Sequence, residues 1–264
     1  QRIELRQRYY AEQSDDIGLM ERMSSMRYER NRDEGFAYSE PVLTIEEYTV
    51  KTFAWMVLGL LITFGVGISG MMSGVVIRAI IAMPSLMLIL LIATLVLSVT
   101  MASRIERMSV ETARGMFLIF SVLMGVTMSV TLSYYDLGSV MIVFCACAMY
   151  FAVMAVFGHF TGCDLSSMGP ILLSGLLFLI IYSLGSMFLP FLRGGDWLFN
   201  LLGIVLFLGY TAYDTQRIRA YYSYYAAQPE MLEKAAIFSA LQLYLDFLNL
   251  FVRLLQLFGK RNKN

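Results

Sequence analysis

Residues 235–258 read AAIFSALQLYLDFLNLFVRLLQLF. The run is long enough to cross a bilayer, since a helix rising ~1.5 Å per residue needs ~20 apolar residues for a hydrocarbon core ~30 Å thick. It also carries Ser239, Gln242, Asp246, Asn249, Arg253 and Gln256. Their spacings alternate three and four, so they share one face of a helix. The other faces are Leu, Phe, Ile, Val, Ala and Tyr. A charge at mid-bilayer costs roughly 2.5–3.5 kcal/mol even on the lenient insertion scale. The stripe is therefore expected to face protein or water. It is either a polar seam that holds helices together or the lining of a functional cavity. Asp246 and Arg253, charged and in register, favour the cavity.

The rest of the chain supplies the company such a helix needs. Phe53 to Ile77, Ala79 to Ser103, Gly115 to Tyr135, Leu137 to Gly158 and Leu165 to Leu192 carry no Asp, Glu, Lys or Arg. Each is long enough to span. Trp197 to Tyr213 is a sixth run, slightly short unless it extends into Ile218. Trp55, Tyr134, Tyr135 and Trp197 mark run ends, as interfacial anchors do. The composition agrees: 58% of the 264 residues are hydrophobic and 15% charged, against about 45–50% and about 25% in soluble domains. The expected fold is an all-α integral membrane protein with a seven-helix transmembrane domain over 51–264. Residues 1–52 hold eight of the 20 Lys/Arg and 11 of the 20 acidic residues, so 1–50 reads as a polar, partly disordered cytoplasmic arm.

Loop charges set the orientation. With the arm inside, the cytoplasmic side also holds Arg104, Arg107, Arg114, Arg217, Arg219 and Lys234, whereas the outer loops hold Arg78 and Arg193. This is a positive-inside bias. Lys260, Arg261 and Lys263 break it if the seventh segment spans fully. A full span is expected, because the segment has no Gly or Pro at which to turn back.

The sixth segment echoes the stripe with Asn200, Gly203, Phe207, Tyr210, Asp214 and Arg217, interrupted by the apolar Phe207. Asp246 lies 11 residues beyond Ala235, ~16 Å into its helix. The two helices run in opposite directions, so continuing the sixth through Ile218 brings Asp214 and Asp246 toward one depth. Alone, Asp214 would read as an interfacial carboxylate pairing Arg217 or Arg219. Two carboxylates together in a low-dielectric site cannot both ionise cheaply, so one proton is shared. Such a pair can sense pH, relay protons or offer oxygen ligands to Ca²⁺. A nearby arginine would lock it ionised. Arg104 is one candidate latch and Arg253 another.

These residues also carry a resemblance. Gly209-Tyr210-Thr211-Ala212-Tyr213-Asp214-Thr215-Gln216-Arg217-Ile218 resembles the signature of the transmembrane Bax inhibitor motif (Bax inhibitor-1) family. Leu243-Tyr244-Leu245-Asp246-Phe247-Leu248-Asn249-Leu250-Phe251 is similar to its last-helix motif, and Asp164-Leu165-Ser166 to its pattern after the fourth helix. The match covers about residues 50–260. It implies a seven-helix bundle with the last helix central. It further implies a pH-sensitive calcium leak, with Asp214 and Asp246 as sensor and gate and Arg104 as their arginine partner; in the mechanism expected here the two carboxylates also serve as a transient calcium site. Calcium would be the permeant ion, with no tightly bound cofactor, and the partners would be lipid, calcium and protons. Ser239, Gln242, Asn249 and Arg253 would line the path.

Two rivals share the same residues. Intramembrane aspartyl proteases also place one aspartate on each of two neighbouring helices, one of them after a Tyr, as in Tyr213-Asp214. Their other motif is Gly-x-Gly-Asp, whereas Asp246 follows Leu243-Tyr244-Leu245. A non-conducting membrane adaptor is the second rival. The reading preferred here is a channel and not an enzyme, in a bacterial cytoplasmic membrane or, in a eukaryote, the endoplasmic reticulum. Zero net charge gives no basic face for nucleic acid. Gly65-x-Gly67-x-x-Gly70 and the Gly70/Gly74 pair read as helix-packing positions, and Cys145, Cys147 and Cys163 as buried apolar residues.

Overall fold

The computed structural model describes residues 43–189 and 196–262. The expected polar arm, apart from its last few residues, lies outside them. The first helix starts within the segment assigned to the arm. Thr44 accepts from the Glu47 amide and the Glu47 carboxylate accepts from the Thr44 amide, a reciprocal cap that starts α1 (Ile45–Ser73). Gly74 ends it at φ 63°, a conformation only glycine adopts without cost. The charge-free run through Ile77 is therefore broken, and a short α2 (Val75–Ala82) carries Arg78. Gly74 is a cap and not a packing glycine.

Next come α3 (Ser85–Arg104), α4 (Val110–Ser133), α5 (Leu137–Phe160), α6 (Gly169–Phe188), α7 (Asp196–Tyr225) and α8 (Pro229–Phe258). Ser109 caps α4 and Asp136 caps α5 through side-chain oxygens, while Pro170 and Pro229 open α6 and α8, where a missing N–H costs nothing. Among the described residues seven helices, α1 and α3 to α8, are long and apolar enough to cross a membrane. All the described regular structure is helical apart from one isolated bridge, Tyr135 to Arg261. The sixth segment exceeds expectation: α7 runs on to Tyr225.

α8 is the axle of the bundle. Of its most apolar stretch 72% is buried, against 17% in α3 and 11% in α6. It packs against α1, α4, α5 and α7, while α3 leans on α4 and α2, and α6 on α7. Large side chains on almost every face of α8 explain this. Leu243, Tyr244, Leu250, Phe251 and Leu255 are fully buried. Thr63 of α1 pins three helices: its hydroxyl donates to the Ser121 carbonyl of α4 and meets the Tyr244 hydroxyl of α8. Phe64, Phe144, Phe247 and Phe251 meet edge to face between α1, α5 and α8.

Small residues set the helix spacing. A Cβ on Gly67 or Gly70 would press on Leu132 or Ser129 of α4, while one on Gly65 would meet nothing within 4 Å. Of the three cysteines only Cys147 is buried; Cys145 and Cys163 are exposed. α5 is so uniformly apolar that its sequence does not mark which face turns outward. α8 is one unbroken helix, so the C-terminal residues emerge at the end opposite the α7–α8 turn. There they are stitched to the α4–α5 connection: the Asp136 amide donates to the Lys260 carbonyl and the Asn262 amide to the Tyr134 carbonyl.

Candidate functional site

The antiparallel α7 and α8 meet along the two polar stripes. Asn200 meets Arg253, Asp214 meets Asp246, and the ring of Tyr221 meets that of Phe238. Close approach is permitted where the α7 signature is small. A Cβ on Gly158 of α5 would collide with the Ala212 backbone, and one on Gly169 with the Tyr213 hydroxyl. Arg253 lies flat over Gly203, its Cδ 3.1 Å from where a Cβ would stand.

At mid-stripe the buried carboxyl groups of Asp214 and Asp246 face each other between α7 and α8, close enough for each to act on the other's charge. Two carboxyls this close in a low-dielectric setting cannot both ionise cheaply, so the arrangement favours a proton shared between them. Asp214 is 7% exposed and Asp246 5%. Asp246 Oδ2 meets no N–H or hydroxyl donor. Arg217, one turn from Asp214, holds its Nη1 4.0 Å from Asp214 Oδ1, with its guanidinium over the rings of Tyr213 and Tyr221. Tyr210 lies within electrostatic reach of both carboxyls.

Arg104 does not join this arrangement. It is exposed at the end of α3, and neither aspartate is an ion-pair partner of it here. The chain just beyond it is held by Lys234, 3% exposed, whose Nζ donates to the Met108 carbonyl at 3.1 Å and the Glu106 carbonyl at 3.5 Å. Lys234 precedes Asp246 by 12 residues on α8, a rise of ~18 Å, so the loop that follows Arg104 is anchored several turns from the pair. Arg217 is the arginine beside the carboxyls. Arg253 is also elsewhere, bonded to Asn200 Oδ1 at 3.2 Å and stacked on Phe199.

The remaining stripe residues grade outward. Ser239 is buried and faces the Tyr48 hydroxyl of α1. Gln242 is half-buried. Asn249 is exposed, its amide donating to the Leu245 carbonyl of its own helix. At the outer end Arg253 and Gln256 line a cleft of about 510 Å³ with Asn200, Trp197 and Arg261. The stripe is thus exposed toward the C-terminal end of α8 and buried toward its N-terminal half. Among the described residues no cluster of three or more His, Cys, Asp or Glu could hold a metal, so the pair alone offers few oxygen ligands.

Sequence reasoning missed Gln216. Its Oε1 accepts from the Leu165 amide and its Nε2 donates to the Cys163 carbonyl, clamping the α5–α6 loop to α7. Both partners lie inside or beside the quoted motifs, which was the available signal. In the same loop, the Ser166 side chain and backbone amide hold the Asp164 carboxyl below the usual carboxylate range. Also missed was the inner charge cluster, in which Glu233 of α8 pairs Lys51 of α1 and Arg114 of α4.

Fold and site together define a seven-span membrane protein with an acidic pair between its last two helices. Residues 45–263 match the family described as inhibitor of apoptosis-promoting Bax1. The chain belongs to this Bax inhibitor-1 family. It is 31% identical over 223 residues to the inner membrane protein YbhL of Escherichia coli, covering 84% of this chain and 95% of that one. An uncharacterized protein of Borreliella burgdorferi is 36% identical over 228 residues, covering 85% and 97%. One of Rickettsia prowazekii is 34% identical over 217 residues, covering 82% and 91%. The chain is accordingly an integral protein of a bacterial-type cytoplasmic membrane.

Proposed function

We propose that the protein is a pH-sensitive calcium leak channel gated by Asp214 and Asp246. What supports this reading is the juxtaposition of two buried carboxyls, enclosed between two membrane-spanning helices midway along a polar stripe. With a proton between them the carboxyls bind each other. When that proton leaves, two like charges face each other in a low dielectric and demand a cation. Arg104, brought in by movement of α3, is that cation in the closed state. α3 is suited to move, since among the described residues its packing is chiefly against α4 and α2. In the open state calcium, with the carboxylates as transient ligands, passes toward the lower calcium concentration. Two carboxylates fall well short of the six to eight oxygens calcium prefers, and conduction requires weak binding.

The sign follows. Lowering the pH restores the proton, releases the latch and raises the flux. In proteoliposomes carrying a calcium dye, influx should rise as pH falls, and Asp214→Asn and Asp246→Asn should each flatten the pH profile. A normal pH-dependent flux in both variants overturns the reading, and so does the absence of flux in folded wild-type protein.

An intramembrane protease would use the same two carboxyls as acid and base. Leu243 and Tyr244 are fully buried beside Asp246 and no glycine opens a path for a substrate backbone, which supports the non-enzymatic reading. A reporter transmembrane peptide should remain uncut.

A further inference from the structure

The outer cleft holds two arginines with no carboxylate partner among the described residues. Arg253 lies on a membrane-spanning helix and is partly buried, and its described polar contact is the neutral Asn200 amide oxygen at 3.2 Å. Its hydrocarbon stem rests on Gly203 and its guanidinium on the Phe199 ring, so the side chain is positioned by three residues of α7. Arg261 lines the same cleft from the C-terminal segment, which is fixed by its bridge to Tyr135. Among the described residues neither arginine has a carboxylate partner. Asp136, next in the chain to the lining residue Tyr135, caps α5 by accepting from the Ser139 amide and does not line the cleft.

A partly buried cation without a counter-ion is costly unless one arrives from outside. Arg261 also belongs to the basic cluster that stands on the outer face against the positive-inside bias. Both observations ask for an anion at the same place.

We infer that this cleft is a binding site for a phosphate-type oxyanion, with Arg253 and Arg261 as its cationic walls and Asn200 and Gln256 as neutral polar contacts. Arginine's planar fork matches the oxygens of a phosphate two at a time. The cleft, about 510 Å³, falls in the range of ~300–1,000 Å³ usual for small-molecule sites and exceeds what a lone phosphate fills. Its walls include the apolar Leu257, Phe199 and Trp197, and Trp197 is 64% exposed. The phosphate therefore has two sources: the headgroup of an anionic lipid in the outer leaflet, or free inorganic phosphate. The site does not depend on the calcium reading, and its test involves no ion flux.

Trp197 is the reporter. The chain has two tryptophans, so Trp55→Phe leaves Trp197 alone. In vesicles of phosphatidylcholine with brominated phosphatidylglycerol, Trp197 should be quenched at a lipid fraction about tenfold lower than with brominated phosphatidylcholine. Arg253→Gln and Arg261→Gln should each remove that preference, as loss of a charge-assisted hydrogen bond costs a factor of about ten or more. A second arm titrates inorganic phosphate in purely phosphatidylcholine vesicles. A saturable change in Trp197 emission there, lost in the same variants and without any preference for phosphatidylglycerol, assigns the site to the free anion. Arg261 is exposed, so Arg261→Gln folds and decides the question even if Arg253→Gln does not. Equal quenching by both lipids with no response to phosphate overturns the inference, as does a response that both glutamine variants retain.

Discussion

Replacing Gly158 with Ala perturbs the account at the point where geometry leaves least room. A methyl there would stand 2.8 Å from Ala212 Cα and 2.9 Å from its carbonyl carbon, and nearer still to the oxygen. Carbon atoms settle at ~3.5–4.0 Å, so α5 and α7 must part by roughly 1 Å. The obstacle is backbone and cannot rotate away. Overpacking of this kind costs about 1–3 kcal/mol. At ~2–4 °C per kcal/mol for a chain near this length, the midpoint of thermal unfolding in detergent should fall by about 2–12 °C. Ala212 lies two residues before Asp214, so the same displacement loosens the carboxyl contact and should blunt the pH response of flux. Gly115→Ala is the internal control. A Cβ there meets nothing within 4 Å, and inside α4 the change should be stabilising by ~0.5–1 kcal/mol. Equal melting of the two variants, or an unshifted Gly158→Ala, would refute the packing argument.

Lys234→Met should lower stability by about 1–3 kcal/mol, because the Glu106 and Met108 carbonyls lose their buried donor; the thermal midpoint checks it. Gly74→Ala should cost ~1–2 kcal/mol, since alanine must enter the left-handed region that ends α1; an unchanged midpoint contradicts it. A membrane-impermeant maleimide should label Cys163, in the exposed α5–α6 loop, from the cytoplasmic side. Cys145, on a membrane-spanning helix, and buried Cys147 should stay unlabelled. Labelling of Cys163 from the outside would invert the orientation.

The spans were legible because burial in lipid writes long apolar runs that no soluble helix needs, and the site was legible because a polar stripe in such a run has few explanations. The approach of Asp214 to Asp246 followed from the spacing of two antiparallel helices. What the sequence hid depends on neighbours. Gly74 and Gly70 look alike in the chain, yet one bends the backbone and the other admits Ser129. Arg104 and Arg217 are equally plausible partners by charge. Only the packing of α3 at the rim, with Lys234 holding the loop after it, separates Arg104 from the pair. The inner cluster of Lys51, Arg114 and Glu233 joins three distant segments and leaves no local pattern.

Infrared spectroscopy of protein labelled with carbon-13 aspartate reads the shared proton itself. The account predicts a protonated-carboxyl band that loses intensity over the same pH interval in which calcium flux falls, and no such change when Asp214 and Asp246 are both asparagine. A band that holds steady while the flux changes, or that changes equally in the doubly substituted protein, would show that the proton controlling the leak sits elsewhere.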